Sequence, residues 1–171
     1  MKSRFQTHLY SRFPALRSQR ILVAVSGGVD SMVLLDLLRE LVDEVAVAHC
    51  NFQLRGQDSV KDEQLVESYC KRYELTCHIK RFDTKLFKQS TQMAARTLRY
   101  NWFEELCNSN GYDIVLTAHH ADDNIETLLM NIIRGTGIEG LAAIPEQNGR
   151  IIRPLLPFYK SEIVNYAQAQ E

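Results

Sequence analysis

Ile21–Val25 is an unbroken apolar run, ILVAV, that passes straight into Ser26-Gly27-Gly28-Val29-Asp30-Ser31. A short run without polar alternation marks a strand buried on both faces, as in a parallel sheet covered by helices. The theme recurs along the chain. Glu44–Cys50 (EVAVAHC), Leu75–Phe82 (LTCHIKRF), Asp113–Ala118 (DIVLTA) and Arg150–Leu155 read as further strands. Between them, segments near 30–41, 58–73, 91–107 and 121–134 carry helical periodicity, and Asn110-Gly111 and Gly135 serve as stops. This alternation predicts an α/β fold: a doubly wound, mostly parallel five-stranded sheet with helices on both faces, Rossmann-like. Ligands in such folds bind beyond the carboxyl ends of the strands, where the winding reverses. A reversal after the third strand makes the first and fourth strands neighbours, and the loops after them then face one crevice.

The 171 residues suffice for one domain with its own core. No apolar run approaches the length of a membrane span, and no signal-peptide segment precedes Ile21, so a soluble cytoplasmic protein is expected. Cys50, Cys70, Cys77 and Cys107 form no CxxC pair and read as reduced, mostly core thiols. Net charge is −1, yet Lys2, Arg4, Arg12, Arg17 and Arg20 all precede the first acidic residue, Asp30. That basic start is either an arm for phosphates or a helix with a solvated charged face. Residues 161–171 read as a helix with no Gly or Pro terminator, so a single domain over 1–171, cut from a longer chain, is expected.

The loop after the first strand has the makings of a phosphate cradle. Gly27 and Gly28 permit positive φ and close backbone approach to an anion. The helix start offers unpaired N–H groups and a partial positive charge, and Ser26 and Ser31 add hydroxyls. The loop lacks the lysine of a Walker A sequence and does not match GxGxxG. Charge must then be neutralised by backbone N–H groups, a metal or arginines from elsewhere. Asp30 beside phosphates would repel them unless it helps hold a bridging Mg2+; the plainer alternative is that Asp30 and Ser31 cap the helix.

After the fourth strand comes Thr117-Ala-His-His-Ala-Asp-Asp-Asn-Ile-Glu-Thr127. His120, Asp123 and Glu126 fall at i, i+3 and i+6, roughly one helix face. Histidine accepts protons near neutral pH, and clustered carboxylates steer an ammonium group or a cation. Acidic residues in a first helical turn are also favourable in themselves. Arg96 and Arg99, three apart on one helix, suit an anion clamp or surface pairing with Glu104 and Glu105. Arg134 is a helix C-terminal cation or a phosphate contact.

Ser-Gly-Gly-x-Asp-Ser resembles the PP-loop of the N-type ATP pyrophosphatase superfamily, whose members attack the α-phosphate of ATP and release pyrophosphate. TAHHxDDxxET with Arg134-Gly135-Thr136-Gly137, Ile151-Ile-Arg-Pro-Leu-Leu156, the ARxxRY helix at Ala95–Tyr100 and Leu54-Arg55-Gly56 are similar to the tRNA(Ile)-lysidine synthase family. The likeness covers about residues 20–165. It implies a PP-loop catalytic domain of the adenine nucleotide alpha hydrolase type and a ligase using ATP and Mg2+. L-lysine would be joined to the wobble cytidine of an isoleucine tRNA with a CAU anticodon, through an adenylated cytidine. A homodimer is compatible with it. It further implies ATP contacts from Ser26, Gly27, Gly28, Asp30, Ser31 and Arg134, with Asp30 also placing Mg2+. The catalytic set would be Asp30, Arg96, His120 and Asp123. The chain departs from the family at Gln92 and Met93, where glutamate is common, and at His49-Cys50-Asn51-Phe52, where more histidines are common. Two other readings stand beside it: a tRNA 2-thiolation enzyme, which needs reactive cysteines, and a non-catalytic universal-stress-type nucleotide-binding module, which has no need of Asp30, His120 and Asp123.

Overall fold

In the computed structural model, which describes residues 1–83, 91–135 and 143–170, β1 (Ile21–Ala24) lies inside a six-stranded sheet. Ile21, Leu22 and Val23 are fully buried, as an apolar run covered on both faces must be. β2 (Val45–Asn51), β3 (Thr76–Arg81), β4 (Ile114–Leu116), β5 (Gln147–Asn148) and β6 (Ile151–Ile152) complete the sheet in the order β3-β2-β1-β4-β6-β5. All pairings are parallel except that of β5 with β6. β1 pairs with β2 on one side and β4 on the other, so the winding reverses after β3 as expected.

The expected five strands become six. The segment read as Arg150–Leu155 pairs only at Ile151–Ile152. Pro154 has no N–H for a ladder, and the N–H of Arg153 turns away to the carbonyl of Glu146. β5 is the other arm of a hairpin across Gly149, which has a φ of 56°. Two exposed polar residues, Gln147 and Asn148, carry no apolar periodicity to announce a strand.

Helices α1 (Lys2–Arg12), α2 (Val29–Arg39), α3 (Gln57–Arg72) and α6 (Lys160–Gln170) contribute to the core on one sheet face, with Val23, Val25 and Val47. Helix α4 (Thr91–Asn110) packs Trp102, Phe103 and Leu106 on the opposite face, over Leu22, Ala46 and Ala48. Helix α5 (Ala121–Ile133) follows β4 and has no fully buried residue. The Thr136-Gly137 part of the segment after α5 lies outside the described residues.

The basic N-terminus is a packed helix, not a free arm. Phe5 and Leu9 are fully buried. Lys2 pairs with Glu40, Arg4 with Glu162 at 2.5 Å, Arg12 with Glu146 at 2.6 Å, and Arg20 with Glu44 at 2.7 Å. Arg17 lies over the Tyr10 ring. These cations are occupied by the protein's own groups.

Candidate active site

The β1–α2 loop is locked from within. Ser31 is buried and donates its hydroxyl to the Gly28 carbonyl at 2.9 Å. Its oxygen accepts from the Ser26 N–H at 3.1 Å and lies 3.1 Å from the Ser26 hydroxyl. The two glycines serve different needs. Gly27 has φ of +90°, and a Cβ there would stand 2.7 Å from the Cβ of Asp62 on α3. Gly28 is an ordinary extended residue with φ of −75°, exposed at the N-cap of α2. Positive φ is therefore required once, and the second glycine leaves the loop open to solvent.

The loop is also held from outside. His49 is 2% exposed, and its Nδ1 lies 2.8 Å from the Val25 carbonyl. A carbonyl only accepts, so this nitrogen carries the proton, which fixes the tautomer. Asp62, behind Gly27, pairs with Arg55 at 2.6 Å. Its neighbour Glu63 takes hydrogen bonds from Arg81 and from Asn51. These outweigh burial and hold its carboxyl below the usual range.

Asp30, in the first turn of α2, is met by Lys160, the first residue of α6. The ammonium stands 2.5 Å and 2.7 Å from the two carboxylate oxygens. Six residues further along both helices, the Tyr166 hydroxyl donates to Asp36 at 2.8 Å. Equal spacing on the two helices means that α2 and α6 run parallel with their N-termini side by side. Asp36 also accepts from Tyr69 at 2.6 Å and from Arg39 at 3.0 Å. Burial pushes the Asp36 carboxyl up, but these bonds prevail and hold it below its ordinary value.

His120 is the N-cap of α5, and its ring is turned inward. It is 8% exposed. Its nitrogens lie 3.8 Å from Asp30, 3.6 Å from Asp122 and 3.7 Å from Asp123. Asp123 accepts the His120 backbone N–H at 2.8 Å, completing a capping box. His119 points the other way, with Nδ1 2.9 Å from the Thr117 hydroxyl. Burial, then the neighbouring Arg153 guanidinium, push the His119 imidazole below its ordinary value, which keeps it neutral.

Two cavities open at the carboxyl ends of the strands. The first, about 280 Å³, has Ser26, Asp30 and Ser31 at one end and an apolar wall of Ala24, Ala48 and Phe103. The second, about 400 Å³, is lined by Arg96, Arg134 and Arg153 together with Asp123 and Glu126. His119 and Asp123 line both. Of the residues singled out from the sequence, Ser26, Asp30, Ser31, Arg99 and Asp123 meet at the first cavity, and Arg96, Asp123, Glu126 and Arg134 at the second. Gly27 is buried behind the loop, Gly28 faces out from it, and His120 lines neither cavity. Arg96 lies over the Tyr100 ring and Arg99 over Phe52, while Glu104 and Glu105 pair instead with Arg150 and Lys80.

Sequence reasoning passed over Lys160, His119 and Arg153. Arg153 is 5% exposed, yet among the described residues its side chain makes one hydrogen bond, to the Pro145 carbonyl at 2.7 Å, and its Nε has no partner. Among the described residues no carboxylate forms an ion pair with it, although Asp123 and Glu126 line the same cavity. Among the described residues, no group of three or more His, Cys, Asp or Glu is arranged to hold a metal ion. A lone carboxylate such as Asp30 fits only a Mg2+ ion that takes its other ligands from phosphates and water.

A mostly parallel sheet with a serine- and glycine-rich loop at its reversal point is the architecture of a PP-loop domain. The chain matches the PP-loop domain family over residues 1–171 and belongs to it. The particular kinship is equally plain. The chain is 46% identical over 157 residues to a tRNA(Ile)-lysidine synthase of Bacteroides thetaiotaomicron, covering 90% of this chain and 37% of that protein. It is 42% identical over 175 residues to that of Chlorobaculum tepidum, covering 98% and 53%. The chain thus spans about half or less of the length of the curated relatives it matches. The fold is shared with the U34-tRNA thiolase NcsA of Methanococcus maripaludis (TM-score 0.80, 17% identity, 98% of this chain and 63% of that one). The NH3-dependent NAD synthetase of Campylobacter jejuni is more distant (TM-score 0.58, 19% identity, 99% and 71%). Among the described residues no helix is long and apolar enough to cross a membrane.

Proposed function

We propose that this chain is the ATP-binding catalytic part of an enzyme that joins L-lysine to the wobble cytidine of an isoleucine tRNA. The observation that carries the reading is the pair of cavities sharing His119 and Asp123, one suited to a nucleotide and the other to a zwitterion. ATP lies in the first, phosphates on Ser26, Gly28 and Ser31, base against the apolar wall. The cytosine carbonyl oxygen attacks the α-phosphate and pyrophosphate leaves. Lysine lies in the second cavity, its carboxylate toward Arg153 and Arg134, its charged amines among Asp123 and Glu126. Its side-chain amine then attacks the activated ring carbon and AMP leaves.

Lysine's ammonium has a reference pKa of about 10.4 and must lose a proton before attack. His119, neutral and facing both cavities, is the acceptor best placed for it, with Asp123 as the ammonium anchor. His120 acts one layer back, holding Asp30 and the start of α5. Arg96 steadies the α-phosphate or the tRNA from the rim. Asp30 would hold a Mg2+ ion, which would supply positive charge to offset that of the departing pyrophosphate. The setting is cytoplasmic. A homodimer would cover the apolar stripe of Ile125, Leu129 and Ile133 exposed on α5.

Sulfur transfer fits the site poorly. Cys50 is the cysteine on the first cavity wall, and burial pushes its thiol up to about 12, leaving it protonated and unreactive. The test is incubation with ATP, Mg2+, L-lysine and isoleucine tRNA bearing CAU, then digestion and mass spectrometry. The expected product is a cytidine heavier by lysine less one water. A sulfur-for-oxygen mass change, or bound ATP with no modified tRNA, contradicts the proposal.

A further inference from the structure

The PP-loop here has no lysine, and it carries an acidic residue at the position where phosphates would lie. The structure supplies a cation from another part of the chain. Lys160 opens α6, where a positive side chain is disfavoured by the helix dipole. It is nonetheless anchored there. Its backbone N–H donates to Asp122 at 2.7 Å, and its ammonium bonds both oxygens of Asp30. An ammonium has three hydrogens, and two are turned to Asp30. The side chain remains 40% exposed, beside a carboxylate that lines the nucleotide cavity. The parallel packing of α2 and α6, fixed by Asp36 and Tyr166, brings two helix N-termini to the same spot.

We propose that Lys160 is a phosphate-binding residue, the cation that the loop itself lacks, held by Asp30 so that its third hydrogen meets the β- and γ-phosphates of ATP. Asp30 is then a positioning residue for Lys160 as well as a neighbour of Mg2+. The carboxylate no longer repels the phosphates, because its charge is matched within the protein. The pair removes the repulsion and still offers a hydrogen-bond donor to phosphate without metal, and this separates the idea from one in which Mg2+ alone does so. The inference rests on the ATP reading above and sharpens it.

The test is calorimetric binding of ATP, inorganic pyrophosphate and adenosine to the 1–171 chain in the presence of EDTA, for the unmodified protein, Lys160→Met and Lys160→Arg. A lost charge-assisted contact weakens binding about tenfold or more. Lys160→Met is expected to lose that factor for ATP and pyrophosphate and to bind adenosine normally, which also certifies its fold. Lys160→Arg is expected to stay within a few-fold of the unmodified chain. Unchanged pyrophosphate binding in Lys160→Met overturns the proposal, as does an equal loss for adenosine, which marks a merely structural role. If the unmodified chain binds adenosine but neither phosphate compound, the phosphate site itself fails, and the ATP reading with it.

Discussion

Replacing Gly27 by alanine tests whether the loop is shaped by α3 rather than by glycine flexibility alone. Two costs are legible. An alanine held at φ of +90° leaves the allowed regions, at about 1–2 kcal/mol. Its Cβ would lie 2.7 Å from the Asp62 Cβ and 3.0 Å from the Asp62 Cα, a backbone atom that cannot swing aside. Overpacking of this kind costs about 1–3 kcal/mol. The sum, about 2–5 kcal/mol, lowers Tm by about 4–20 °C for a domain of this size. Gly28→Ala is the control. Its φ is −75°, and the nearest atom to a built Cβ is the Ser26 hydroxyl at 3.4 Å, so its folding cost stays under about 1 kcal/mol. Calorimetric melting of both variants, with ATP titration of Gly28→Ala, reads the difference. Gly27→Ala is expected to melt far below Gly28→Ala, and Gly28→Ala to fold normally but bind ATP weakly. Equal melting temperatures for the two would refute the assignment of separate roles.

Stability should fall with acid earlier than carboxylate titration allows. Burial holds the imidazoles of His8, His78 and His119 below the ordinary 6.5, so as pH drops under that value the unfolded chain takes up protons that the fold refuses. Urea midpoints should match above about pH 7 and decline toward about pH 5.5; a flat profile over that range contradicts the burial of these rings. Arg153→Met is expected to raise KM for lysine about 10–100-fold with the KM for ATP little changed. The same variant should not lose stability, since the buried guanidinium has no carboxylate partner among the described residues; steady-state kinetics and melting decide both points. Phe158→Ala removes a fully buried ring that meets Phe5 at a tilt, with centroids 5.9 Å apart, and a loss of about 3–5 kcal/mol is expected in urea unfolding. A loss under about 1 kcal/mol would show that α1 does not depend on it.

What the sequence disclosed depended on local patterns. ILVAV followed by Ser-Gly-Gly placed β1, the loop and α2, and the strand–helix alternation implied that β1 and β4 are neighbours. The same reasoning overran at Arg150–Leu155, where Pro154 cuts the ladder short, and missed β5, which is too short and polar to signal. It could not tell which histidine of His119-His120 faces the cavities, because adjacent residues at a helix start point in different directions and capping decides between them. Lys160 escaped because its partner Asp30 is distant in sequence, and Arg153 because its burial is set by tertiary packing that no local pattern announces. The hints were there in principle: a lysine opening a helix and an arginine inside an otherwise apolar stretch. Of the two readings left open for the N-terminal cations, the structure shows the helix, and the sequence could not choose because Glu162, Glu146, Glu40 and Glu44 answer them from remote positions.

The most direct measurement is of the products of ATP. With ATP labelled on the α-phosphate and isoleucine tRNA bearing CAU, the account predicts tRNA-dependent formation of labelled AMP and an equal amount of pyrophosphate, with lysine required for AMP release. Labelled ADP with inorganic phosphate would place the cleavage at the wrong bond and contradict the account.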